Sequence, residues 1–297
     1  MIYIVIPVHN RKAFTLGCLH CLAQQTVTDR LVIVVDDGST DGTGEQVRKQ
    51  FPDVVVLTGN GSLWWAGATN LGVRYVLDTL DPDADDFILT LNDDISINSG
   101  YLANLLIASK ANQRCLIGSV SVDVKPPHAL LYAGTRHNFL VAKIEDQATT
   151  RFTNKYASLL QNSSCIGSDS LPGRGMLVPI PVFRAIGVFD DRRFCHHMAD
   201  LDFSIRARKA GFPLLISSAS VVYEYSDATG VDVSKPMSLR LFWQALSAIK
   251  SPINYQVRHH FALKHAPFPY LYIGIDMLRI IGGYVIRQIK ATLAMDR

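Results

Sequence analysis

Leu31-Val32-Ile33-Val34-Val35 runs straight into Asp36-Asp37-Gly38-Ser39, and Phe87-Ile88-Leu89-Thr90-Leu91 runs into Asn92-Asp93-Asp94. Short continuous apolar runs of this kind read as strands buried on both faces of a parallel sheet. Ligands of such sheets sit just outside the carboxyl ends of the strands, at the switch point. Carboxylates delivered there by two different strands can share one ligand. They suit a hard cation with oxygen ligands, or the N–H and hydroxyl donors of a nucleoside. A nucleoside diphosphate carried with a divalent metal uses both. Either cluster alone also reads as a turn or a helix cap. Two clusters at matching strand ends favour a ligand site.

Outward from these ends the pattern alternates strand and helix. Strand 2–8 leads to a helix near 11–25, strand 31–35 to a helix near 42–51, and strand 54–57 to a helix near 67–80. Strand 87–91, a helix near 100–111 and strand 115–120 complete the set. Alternation of this kind implies right-handed crossovers and a doubly wound, mostly parallel, Rossmann-like α/β sheet. Residues 128–170 weaken into short strands and polar stretches such as Asn162-Ser163-Ser164, and from about Ser238 the pattern is helical. The expected organisation is a domain over 1–230, with a nucleotide half at about 1–122 and an acceptor half at about 123–230, and a helical extension over 231–297.

At 297 residues, 48% of them hydrophobic and 19% charged, the chain carries a sizeable core and no disordered composition. A formal charge of +3 gives no argument for a nucleic-acid partner. The chain opens on strand residues Ile2-Tyr3-Ile4-Val5-Ile6 without a signal-like region, which points away from secretion. Five cysteines without framework spacing point to a reducing cytosol, and Cys18-Leu19-His20-Cys21, half a zinc spacing with no second pair, reads as core.

Six segments in order resemble the family 2 glycosyltransferases, which have the GT-A fold. They are Ile6-Pro7-Val8-His9-Asn10, Val35-Asp36-Asp37-Gly38-Ser39-Thr40-Asp41, Trp65-Ala66-Gly67-Ala68-Thr69-Asn70-Leu71-Gly72, Leu91-Asn92-Asp93-Asp94-Ile95, Gly173-Arg174-Gly175-Met176-Leu177 and Ala199-Asp200-Leu201-Asp202-Phe203. The resemblance spans roughly residues 2–226 and implies an inverting transfer from a UDP- or dTDP-sugar to a glycan or lipid-linked saccharide in cell-surface polysaccharide synthesis. Rhamnose is a reasonable donor sugar by the same resemblance.

By that resemblance Pro7, His9 and Asn10 line the nucleotide pocket, and Asp36 accepts the pyrimidine N–H with Asp37 beside it. Gly67 to Asn70 would open a helix whose free N–H groups favour phosphate or ribose oxygens. Asn92, Asp93 and Asp94 stand at the metal-binding Asp-x-Asp, with Asp94 on the metal, Mn or Mg, and Asp93 on metal or ribose. Asp200 falls at the catalytic base, which takes the acceptor proton while a metal neutralises the leaving diphosphate. Asp202 either supports the acceptor or pairs with Arg206 at i+4. Arg174 reaches the diphosphate or a core carboxylate, and Trp65 with Trp64 either stacks on the donor or packs in the core.

Three departures from the family pattern stand out. The triplet opens with Asn92, Ala199 replaces a common Glu, and Glu224 falls where relatives place a metal-binding His, a position at which its carboxylate would serve as a hard oxygen ligand of the metal. Ala199 leaves open a catalytically silent sugar-nucleotide-binding partner. A sugar nucleotidyltransferase is the enzymatic rival, although Val8-His9-Asn10-Arg11-Lys12 lacks the glycines such enzymes show after their first strand. In the C-terminal stretch, Asp276, Arg279, Gly283, Arg287 and Lys290 fall within roughly 80° of one another on a helix, and the remaining surface is apolar. That stripe suits either an anionic inner-leaflet surface, with the protein cytoplasmic and peripheral, or packing on protein.

Overall fold

The computed structural model describes residues 1–161, 165–225 and 236–295. The chain begins β1 (Ile2–Val8), α1 (Lys12–Ala23), β2 (Arg30–Asp36), α2 (Thr43–Gln50), β3 (Val55–Thr58), α3 (Trp64–Thr79) and β4 (Phe87–Thr90). Next come β5 (Ile95–Ser96), α4 (Tyr101–Ala111) and β6 (Leu116–Asp123). A run of short elements follows: β7 (Leu130–Tyr132), β8 (Thr135–Asn138), β9 (Lys143–Asp146), α5 (Gln147–Thr150), α6 (Tyr156–Leu160) and β10 (Cys165–Gly167). The remainder comprises β11 (Met176–Pro179), α7 (Ile180–Ile186), α8 (Ala199–Lys209), β12 (Leu214–Glu224), α9 (Leu239–Ala245), α10 (Tyr255–His265) and α11 (Pro269–Met295). The expected boundary at 230/231 and the Asn162-Ser163-Ser164 stretch lie outside the described residues.

The main sheet runs β10-β12-β6-β11-β4-β1-β2-β3. β1 pairs in parallel with β2 and β4, β2 with β3, and β6 with β12. The exception in the middle is β11, antiparallel to both β4 and β6. Its placement matters for function, because the antiparallel return sets Gly173-Arg174-Gly175 beside the carboxyl end of β4.

Both faces of the central strands are covered, which explains their unbroken apolar runs. Ile2, Ile4 and Ile6 pack with Cys18, Leu19 and Leu22 of α1, so Cys18 is core as its context suggested. Tyr3 and Val5 pack on the other face with Val73 and Val76 of α3. Each such side chain contributes on the order of 1.5–3 kcal/mol. α3 approaches so closely that a Cβ on Gly72 would lie 2.5 Å from Val5 Cγ1, which fixes the helix over the β1–β2 junction.

The C-terminal helices dock on α8 through one buried carboxylate. Asp202 is fully buried; Arg206 Nε donates to its Oδ2 at 2.9 Å, and Lys264 Nζ lies 2.8 Å from its Oδ1. His265 donates from Nε2 to the same Oδ1 at 2.8 Å, and its Nδ1 faces Lys209 Nζ at 3.4 Å. Burial pulls the imidazole pKa down, so it sits there as a neutral donor. Burial acts to raise the Asp202 pKa, but the hydrogen bonds from His265, Lys264 and Arg206 outweigh it and hold the group at about 2. The i+4 partnership with Arg206 is therefore real, and Asp202 does not reach any acceptor surface. A depressed carboxylate pKa stabilises the fold fully above the unfolded value of about 4 and loses that contribution as pH falls towards 2. Asp202→Ala strands its cationic partners and should cost about 3–5 kcal/mol in urea unfolding at neutral pH. The gap between the variant and the wild type should close between pH 4 and pH 2; an equal gap at both pH values would contradict this account.

Candidate active site

The carboxyl ends of β1, β2 and β4 open onto a cleft of about 450 Å³, whose far wall is built by residues 172–174, 196–197, Asp200 and Lys250. Of the residues expected from sequence, Pro7, His9, Asp37, Trp65, Asn92, Asp93, Asp94, Arg174 and Asp200 line it together. Asn10, Asp36, Gly67, Asn70, Asp202 and Glu224 are not among the lining residues.

The reasons are local. Asp36 accepts from the Ser39 N–H at 2.9 Å through Oδ1, and its Oδ2 lies against Gly44, so the strand's alternation aims it away from the cleft. Asp37 faces the cleft but is engaged by a loop: Oδ1 accepts from Gly61 N, and Oδ2 from Leu63 N and Trp64 N, at 2.8–3.1 Å. The carboxylate thus caps α3 and complements its positive end. α3 starts at Trp64, three residues before the expected start, so the Gly67 N–H is spent on Leu63 O at 3.1 Å and offers nothing to a phosphate. Asn70 is fully buried and bridges to the 189–191 turn, donating to Phe189 O and Asp191 and accepting from Phe189 N. Asn10, with φ of +53°, accepts from the Thr40 N–H at 2.7 Å and pins the β1 loop to the β2 loop.

Asp93 and Asp94 are each only 4% exposed, yet both border the cleft. Their counter-charge is Arg11, with Nε 3.3 Å from Asp93 and Nη2 2.9 Å from Asp94, and its guanidinium lies 5.0 Å over the Phe14 ring. Burial raises the Asp93 pKa to about 6, opposed by Arg11 and the Thr15 hydroxyl and reinforced by Asp94. Arg11 Nη2 is buried without a well-aligned hydrogen bond. Two adjacent hard carboxylates served by a poorly aligned cation are a donor set that fits a divalent metal, with the rest of its coordination left to substrate oxygens and water. Glu224 does not join them. Its carboxylate takes the Ser121 hydroxyl and the Arg174 guanidinium, and no cluster of three His, Cys, Asp or Glu groups fit for a metal occurs among the described residues. Glu224 instead holds Arg174, which also lies 5.3 Å over the Tyr132 ring.

Asp200 opens α8 and accepts from Gly173 N through Oδ2 and from Leu201 N through Oδ1, both at 2.9 Å. It does act as a helix-end acceptor, and it also borders the cleft. Burial raises its pKa despite those bonds and nearby Arg174, which leaves a carboxylate that favours taking up a proton. Trp65 closes the floor: its indole N–H donates to Asn92 Oδ1 at 3.1 Å, and its ring meets Phe189 edge-on at 5.4 Å.

Sequence reasoning missed Arg11, His196, His197 and Lys250. Burial lowers the His196 pKa to about 4, its Nδ1 has no partner among the described residues, and its ring meets Trp64 edge-on at 6.0 Å. Lys250 Nζ lies 5.7 Å over the Trp64 ring, and its carbonyl pairs with His197 Nε2 at 2.9 Å. Trp64 itself has a φ of +57°, a conformation bulky residues rarely take, and the backbone bend turns its ring into the cleft. His196-His197 precedes Asp200 by a few residues and was the one available signal. Nothing in the sequence ties Lys250 to the cleft.

A Cβ on Gly173 would lie 2.1 Å from Trp65 Cζ2. Gly173→Ala must therefore displace the indole or the loop that holds Asp200. A loss of about 1–3 kcal/mol in thermal or urea unfolding is expected, together with a shifted tryptophan emission. Unchanged stability and emission would show that this wall is looser than described.

With this geometry in place, the relatives fall into one class. The chain is 26% identical over 213 residues, 68% of each protein, to the N-acetylglucosaminyl-diphospho-decaprenol L-rhamnosyltransferase of Mycobacterium tuberculosis. The mannosyltransferase PcManGT of Pyrobaculum calidifontis, solved with GDP-Man and Mn2+, superposes with a TM-score of 0.56 at 14% identity, covering 99% of this chain and 75% of that one. GalNAc-T7, solved with UDP, GalNAc and Mn2+, gives a TM-score of 0.58 at 13% identity over 75% of this chain, which spans 43% of that protein's length. At such identities the structural likeness establishes the GT-A-type fold alone. The sequence model of "Glycosyl transferase family 2" matches residues 3–158, more than half of the chain, and the protein belongs to that family of glycosyltransferases.

Proposed function

We propose that the protein is a metal-dependent, inverting glycosyltransferase that moves a sugar, rhamnose foremost, from a dTDP- or UDP-sugar to a lipid-linked saccharide at the cytoplasmic face of a membrane. One observation carries the reading: the β4 carboxylates Asp93 and Asp94 and the α8 carboxylate Asp200 border the same cleft. The name of the mycobacterial relative supports the sugar and the lipid diphosphate, and five free thiols suit a reducing compartment.

In this reading Asp93 and Asp94 hold a divalent cation, which when bound neutralises charge on the leaving diphosphate. Pro7 and His9 bound the base, and His9 is fixed by its Nδ1 contact with Asp37 O at 2.6 Å. Arg174, oriented by Glu224, offers a second positive group for the diphosphate. Trp64 and Trp65 present ring surface to the sugar, and the unpartnered His196 Nδ1 is available to a sugar hydroxyl. Asp200 takes the acceptor hydroxyl proton as that oxygen attacks the anomeric carbon from the face opposite the nucleotide. A single carboxylate suffices, unlike the paired groups of a hydrolase.

α11 supports the membrane placement. At ~100° per residue, its exposed Leu278, Ile281, Val285, Ile286, Ile289 and Leu293 share an arc of about 140°. Of the polar arc, Asp276 turns inward and is buried against Arg258 at 2.6 Å, while Arg279 and Lys290 stay exposed at the flank of the apolar face. Exposed Phe268 and Tyr270 mark the end of the helix. No helix among the described residues is long and apolar enough to cross a bilayer, so an outward apolar face with cations at its flank suits an interfacial helix on anionic lipid.

Asp200→Asn keeps the shape of the α8 start but cannot accept the proton. With dTDP-L-rhamnose and an N-acetylglucosaminyl-diphospho-lipid analogue, kcat should fall about 10²–10⁴-fold while donor affinity changes little. Near wild-type turnover would place the base elsewhere.

A further inference from the structure

A second cavity, of about 260 Å³, lies away from the cleft, between α10, α11 and the loop joining β8 to β9. Its charged lining is Arg258, Arg279, Arg287 and Asp276, against apolar walls that include Ile144, Ile253 and Ile280. The charges do not cancel. Asp276 is committed to Arg258, and Arg279 spends one N–H on the neutral carbonyl of Ala142. Arg287 has no partner among the described residues. Two guanidinium charges are thus left without an anion in one concave, half-enclosed place.

The surroundings say what kind of anion belongs there. On α11 Arg279 falls about 20° from Ile286, at the edge of the exposed apolar arc, and Arg287 about 100° from it, on the side of the helix that lines the cavity. A ligand with its charge in the cavity would have its apolar part along that face. Planar guanidinium groups match phosphate oxygens in two-pronged fashion, better than they match a diffuse surface charge. The turn at residues 250–253 separates this cavity from the catalytic cleft: Lys250 borders one and Ile253 the other.

We propose that this cavity is a phosphate site for an anionic membrane lipid, whose head group it holds while the acyl region meets the apolar face of α11. The proposal rests on the membrane reading of α11 given above. It adds a stoichiometric contact to what would otherwise be a diffuse attraction, and it ties the orientation of the helix to the turn that carries Lys250 into the active site.

The test uses the full-length protein and sedimentation with phosphatidylglycerol or phosphatidylcholine vesicles. Arg287→Gln is the informative variant, because its side chain supports no other group and the fold should persist. Lys290→Gln, an exposed cation of the same helix outside the cavity, measures the diffuse contribution, about fivefold for one surface charge. The wild type should prefer phosphatidylglycerol. Arg287→Gln should lower that affinity more than about tenfold, well beyond Lys290→Gln, and leave binding to phosphatidylcholine unchanged. Equal effects of the two variants would overturn the cavity site and leave the membrane reading standing. Failure of the wild type to bind either vesicle would overturn both. Inorganic phosphate that raises the wild-type melting temperature, without any difference between the variants on vesicles, would assign the cavity to a free anion and overturn the lipid assignment.

Discussion

Two carboxylates, Asp93 and Asp94, are buried side by side at the end of β4, and the organisation of the site follows from neutralising them. Adjacent negative charges at 4% exposure are not tolerated without a positive partner. Arg11 supplies it from the start of α1, and in doing so ties the β1 loop to the β4 end. In the proposed reading, the carboxylates' own charge is what a divalent cation delivered with a diphosphate would meet. Arg174 and Glu224 repeat the theme on the opposite wall, where an ion pair holds a guanidinium at the cleft edge. Asp37 does so a third time, with its charge absorbed by three loop N–H groups. Thus the acidic residues that mark the strand ends divide into those that hold loops and those that keep their charge for a ligand.

That division is where reading from sequence stopped. The strand–helix alternation, the core position of Cys18 and the strand-end acids Asp93 and Asp94 were legible from periodicity and topology, whereas Arg174 and Asp200 were placed at the same cleft by the family resemblance of their segments. Asp36 and Asp37 are neighbours in the chain, and only the pleat decides which one faces the cleft. Asn70 looked like a ligand-binding residue because its place in the motif resembles one, but its three hydrogen bonds all go to the 189–191 turn. The start of α3 was misplaced because its cap, Asp37, comes from a distant strand end and not from the residue before the helix. Lys250 and His196 entered the wall through contacts that no local pattern encodes.

The C-terminal helices close the circle between the site and its surroundings. Asp202, two residues beyond Asp200 on α8, gathers Arg206, Lys264 and His265, so the position of α10 is coupled to the helix that presents Asp200. α10 in turn holds α11 through Arg258 and Asp276. A chain of buried charge pairs therefore runs from α8, at the wall of the cleft, to an outward-facing apolar surface.

The central claim is that Asp93 and Asp94 form a cation-dependent site for a nucleoside diphosphate. Its most direct test is calorimetric titration of UDP and dTDP into wild-type protein and into Asp94→Ala, each with manganese and with chelator. Binding of one nucleotide that strengthens at least about tenfold with manganese in the wild type, a gain worth about 1.4 kcal/mol, and that loses this gain in Asp94→Ala, is the predicted result. The same manganese-dependent gain in both proteins, or none in the wild type, would contradict it.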